Sequence, residues 1–156
     1  MAACLKLDSL DEFLAQERMR KWCWRDVNCA FWVADWIRSS TGIDPARDMR
    51  GQAASADEWY DVIKRRGGFM PIIGAAMDGH WLRTQSPGRG DVGIVSVPVA
   101  LCNRLPVVGA IAGICMAPAT ANAWPMFVCR SLRGLYYERL AMVTAWRLTW
   151  HEQTMH

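Results

Sequence analysis

Apolar positions recur with helical spacing through the N-terminal half of the chain. Leu7, Leu10 and Leu14, with Phe13, make one stripe, and Ser9-Leu10-Asp11-Glu12 reads as a capping box. Together they predict a helix from about Ser9 to about Lys21. The next apolar set (Cys29, Phe31, Trp32, Val33, Trp36, Ile37) covers most of a helix circumference, which predicts a central, buried helix. Asn28 is a good N-cap for it, and Gly42 and Pro45 end it near Ser40. Ser55 and Glu58 form a second capping box, opening a helix through Trp59, Tyr60, Val62 and Ile63. That helix stops at Lys64-Arg65-Arg66-Gly67-Gly68, basic residues and then glycines.

The pattern changes after Gly68. Residues 69–77 are apolar but broken by Pro71 and Gly74, and carry no clear period. Gln85-Ser86-Pro87-Gly88-Arg89-Gly90 is a loop by composition. Short strands follow over Val92–Val97, Val107–Met116, Met126–Arg130 and Val143–Thr149. Helices first and a mainly antiparallel sheet second means an α+β fold, a single domain over 1–156 with its core at about 9–149 and a tail at 150–156. Leu105 to Cys129 has no charge over 25 positions, long enough to span a bilayer. Its prolines and glycines (Pro106, Gly109, Gly113, Pro118, Pro125) favour two buried strands with a connection, and argue against a membrane span.

Composition narrows the function classes. At 156 residues the chain can bury a proper core, and 52% hydrophobic against 21% charged residues excludes disorder. Nine tryptophans suggest a protein largely covered, in part by partners. A net charge of +3 with no basic stripe gives no case for nucleic acid. The six cysteines have no C-x-x-C spacing and only three histidines accompany them, so neither a metal site nor a cofactor is expected. Met1 to Lys21 has no apolar secretory core, and the thiols read as reduced, as in a cytosol.

Chemistry concentrates at Trp22-Cys23-Trp24-Arg25-Asp26-Val27-Asn28-Cys29, a loop turning into the central helix. With Asn28 as cap, Cys29 falls at the first helical position, where free N–H groups and the helix dipole favour a thiolate. A cysteine nucleophile also needs a base. His80, in Asp78-Gly79-His80-Trp81, is the candidate inside the fold; His151 and His156 lie in the tail. Asp26 either orients a catalytic group or pairs with Arg25, and the ion pair is the preferred reading. Trp32 and Trp36 have core spacing, whereas Trp22 and Trp24 alternate in the loop and suit a contact surface. Arg89-Gly90-Asp91 matches an integrin-binding tripeptide by chance alone and is set aside.

Several pieces in order resemble a family of small phage and prophage proteins that are themselves similar to NlpC-type cell-wall cysteine peptidases. They are Trp24-Arg25-Asp26-Val27-Asn28-Cys29-Ala30, Val33-Ala34-Asp35-Trp36-Ile37, Thr41-Gly42-Ile43-Asp44-Pro45, Arg50-Gly51, Gly67-Gly68, Arg89-Gly90-Asp91-Val92, Ala112-Gly113-Ile114 and Ala145-Trp146-Arg147. The resemblance implies a papain-like α+β domain with Cys29 heading the central helix against the sheet. It also implies a place at a phage tail tip or in tail assembly, with other tail proteins as partners, in the host cytoplasm first and then in the virion. Active peptidases carry a histidine where this chain has Ile111, and Asp-Cys where it has Asn28-Cys29. Isoleucine moves no proton. The reading is therefore a degenerate peptidase-like domain acting by protein contacts. The alternative is an active hydrolase of peptidoglycan stems, with Cys29 as nucleophile and His80 as displaced base.

Overall fold

The structure is a computed structural model that describes residues 2–17, 20–25, 27–97 and 110–148, with side chains of the first helix from Ser9 onward. Four helices, α1 (Ala2–Glu17), α2 (Cys29–Thr41), α3 (Ala56–Arg65) and α4 (Phe69–Met77), precede the sheet. Its strands are β1 (Leu82–Arg83), β2 (Val92–Ser96), β3 (Ala110–Ala117), β4 (Met126–Ser131), β5 (Gly134–Arg139) and β6 (Met142–Arg147). They form one antiparallel sheet in the order β1-β6-β2-β3-β4-β5. The fold is α+β, with N-terminal helices on a C-terminal sheet.

The caps behave as the chain spells them. Asn28 Oδ1 accepts from Phe31 N at 2.8 Å and opens α2, and Gly42, at φ 83°, closes it by donating to Arg38 O at 2.8 Å. Ser55 Oγ accepts from Glu58 N at 3.2 Å, and the Glu58 carboxylate reaches back to Ala54 N at 2.6 Å. Ser9, however, caps nothing. α1 begins at Ala2, because good helix formers precede Ser9, and it ends at Glu17 rather than near Lys21. Residues 69–77 resolve as α4, where Pro71 falls in the first turn, whose N–H groups need no helical partner.

α2 is the axis of the molecule. Phe31, Trp32, Val33, Ala34, Trp36 and Ile37 are all buried, and the helix lies across β3 and β4 with α1 beside it. Alternation along the strands makes two apolar faces. Ile94, Ala112, Ile114, Val128 and Trp146 pack with Leu10, Trp32 and Trp36, while Val95, Ile111, Cys115, Phe127 and Cys129 form a second cluster with Leu140. On the far side of α2, Phe31 joins Met49, Ala53, Trp59 and Val62. The uncharged stretch enters this sheet as β3, a turn and most of β4. Among the described residues no helix is long and apolar enough to cross a membrane. Residues 98–109 and 149–156 lie outside the described residues, and with them the predicted strand ends at 107–109 and 149.

Close packing in the second cluster sets a testable constraint. A Cβ added at Gly113 would lie 2.8 Å from Cys129 Sγ and 3.3 Å from Val128 O. Gly113→Ala therefore costs about 2 kcal/mol by overpacking. In a urea-denaturation double-mutant cycle, Cys129→Ala recovers at least about 1 kcal/mol of that cost. Strict additivity would contradict this contact.

Candidate functional site

The loop before α2 is tied down from both sides. Cys23 and Val27 exchange backbone hydrogen bonds, at 3.2 and 2.8 Å. Trp24 O accepts from Trp59 Nε1 at 2.8 Å and from Asn28 Nδ2 at 3.3 Å. Trp22 and Trp24 stand edge to face with centroids 5.0 Å apart, both half-buried. Asp26 lies outside the described residues, so its pairing with Arg25 has no structural counterpart here.

Cys29 takes the first position of α2, half-buried, with its side chain against the second apolar cluster. The cap fixes it there: Asn28 occupies Phe31 N, and Trp32 N donates to Asn28 O at 2.9 Å. Ile111 belongs to that cluster and is 6% exposed, a buried alkyl group. Cys129 is there too. Burial pushes its thiol up to about 12, against the opposing pull of the Tyr136 hydroxyl, so it stays protonated across the physiological range.

His80 is elsewhere. It is exposed in the turn after α4, its ring against Trp81 at 5.2 Å, at the approach to edge strand β1. Two strands, β6 and β2, separate β1 from β3, which carries Ile111. Cys29 lines a cavity of about 1030 Å³ together with Trp22, Trp24 and Ile111, and His80 is not part of its wall. Among the described residues no group of three or more His, Cys, Asp or Glu side chains could hold a metal ion.

Ion pairs and hydrogen bonds tie the elements around this loop together. Asp35 pairs with Arg50 at 2.8 Å and with Arg20 at 3.1 Å, and Arg50 continues to Asp44 at 2.8 Å. Burial opposes ionisation of Asp44, but the Arg50 guanidinium and Ala46 N–H outweigh it and hold the carboxyl below its ordinary range. This link therefore stabilises at neutral pH and is lost as acid protonates Asp44. Trp36 Nε1 donates to Gly90 O at 2.9 Å, fixing the loop before β2 to the central helix. Asp91, 2% exposed, accepts from Gly88 N at 2.9 Å and Leu148 N at 3.1 Å. The Arg89-Gly90-Asp91 tripeptide is thus a junction between α2, β2 and the end of β6.

The family model described as a domain of unknown function, DUF6950, matches residues 7–148. The chain belongs to that family. The match runs from α1 to Leu148, so the DUF6950 domain includes the capped thiol, the ion-pair chain and all six strands. No curated protein and no solved structure matches the chain.

Sequence reading located Cys29 and its cap but missed the cavity and Cys129. Their neighbours come from strands some 80 to 100 positions further along, and no local spacing announces them.

Proposed function

We propose that this chain is a protein-contact component of a bacteriophage tail tip, acting in the tail or in its assembly, with an NlpC-type arrangement that lacks the peptidase dyad. The observation that carries this reading is the buried Ile111 in the cluster against which Cys29 packs. An isoleucine side chain neither takes a proton from a thiol at neutral pH nor returns one to a leaving amine. Its partners are other tail proteins. The surface supports contacts of this kind: β5 is an open sheet edge, Tyr137 on it is 45% exposed, and Trp124 beside it is 61% exposed. Arg139 Nη1 donates to Trp124 O at 2.8 Å, which holds that turn against β5.

A cell-wall peptide hydrolase is the second reading, favoured by the position of Cys29 at the head of α2 and on the cavity wall. It requires a base to reach the thiol from the direction of His80.

Deleting the gene from its phage or prophage and complementing with variants separates the two. On the contact reading, deletion gives particles with incomplete tails, Cys29→Ala restores them, and Trp124→Ala with Tyr137→Ala does not. Complete tails that fail to infect with Cys29→Ala would instead support the hydrolase. Normal infectious particles after deletion would overturn both.

A further inference from the structure

Between the helix-facing side of the sheet and α2, α3 and α4 lies the cavity of about 1030 Å³. This volume is at the top of the range of roughly 300–1,000 Å³ used by small-ligand sites. Phe31, Met49, Trp59, Ile72 and Ile111 make apolar walls.

Two features say what chemistry fits it. Trp36, Trp59 and Trp146 each donate their indole N–H, to Gly90 O, Trp24 O and Asp78 Oδ1. Among the described residues Trp22 Nε1 and Trp32 Nε1 have no hydrogen-bond partner, and both atoms are buried; Trp22 lines the cavity and Trp32 does not. The second feature is charge. Lys64 and Arg66, exposed at the end of α3, line the cavity with Asp48 as the one carboxylate, so two cations face one anion. Among the described residues Arg66 makes no ion pair, and its Nη2 donates to the neutral Gln52 Oε1 at 3.1 Å.

We propose that this cavity is a binding site for a single-chain acyl anion, its alkyl chain against the apolar walls and its carboxylate drawn to Lys64 and Arg66. The chain removes apolar surface from water on both partners, and the basic rim selects the anion over a neutral analogue. The site holds whether or not the protein works in a tail, because nothing in it depends on a partner protein.

The test titrates oleate, kept below its micelle concentration, into the full chain, with oleyl alcohol as the neutral counterpart. Saturable single-site binding is expected, with oleate at least about tenfold tighter than the alcohol. Alkylation of Cys29 slows as the site fills. Ala76→Trp, which narrows the cavity, weakens both ligands at least about tenfold. The exposed pair Lys64→Glu with Arg66→Glu weakens oleate by a similar factor and leaves the alcohol unchanged. Near-UV circular dichroism checks that each variant is folded; if Ala76→Trp is not, the charge-reversed pair and the Cys29 protection decide. No saturable binding overturns the proposal, as does equal binding of oleate and alcohol that ignores charge reversal. Binding to vesicles of anionic phospholipid without binding to free oleate also overturns it, in favour of a membrane surface.

Discussion

Asp91→Ala lowers the unfolding free energy by about 3–5 kcal/mol, the range for removing one member of a buried charged hydrogen-bond set. The carboxylate is 2% exposed, and its two oxygens accept from Gly88 N and Leu148 N, with Arg147 Nε at 3.8 Å. Leu148 is fully buried, so its N–H has no water to turn to once the acceptor is gone. The effect spreads because Asp91 O also accepts from Cys115 N at 2.8 Å, tying the same residue to β3. Asp91→Asn keeps the shape but turns one acceptor into a donor, so it loses about half as much. Urea unfolding of the three proteins measures this directly. A loss under about 1 kcal/mol for Asp91→Ala would mean that the junction is redundant.

Arg130→Met comes next, at about 2–4 kcal/mol. Arg130 points from β4 into the core, 3% exposed, and its guanidinium donates to Glu17 O at 3.2 Å and to Arg20 O. Glu17 is the last residue of α1, so this side chain closes that helix from across the fold by taking up carbonyls at its end. Methionine keeps the apolar stem and removes every donor. Arg130→Lys does not rescue it, because a single ammonium cannot reproduce the fork that reaches both carbonyls. Hydrogen exchange locates the damage: α1 loses protection first while β2 and β3 keep theirs. Uniform loss of protection would contradict a capping role.

The elements legible in the sequence share a local cause. α2 was readable because Asn28 and Gly42 mark its ends and its apolar residues go all the way round. β2, β3 and β4 were readable because burial on both faces writes a nearly unbroken apolar run, and β6 because it is rich in apolar residues although Val143 is half exposed. β5 escaped because an edge strand that ends in Tyr137, Glu138 and Arg139 has no buried alternation, and β1 because two residues make no pattern. The false capping box at Ser9 shows the limit of such motifs: a helix already running makes the cap irrelevant. At the site, Cys29 was placed by its cap. That Cys29, Ile111 and Cys129 share one apolar cluster follows from strand pairing, which no single stretch encodes.

The central claim is that His80 does not act as a base for Cys29. Alkylation of each thiol in the folded protein, from about pH 5 to about pH 9 and read by mass spectrometry, tests it in the wild type and in His80→Ala. The account predicts that exposed Cys23 labels first, Cys29 follows, and Cys115 and Cys129 label only on unfolding. It further predicts that the Cys29 curves of the two proteins superimpose. Labelling of Cys29 with a midpoint well to the acid side of an ordinary thiol, moved upward by His80→Ala, would contradict the account and support the hydrolase reading.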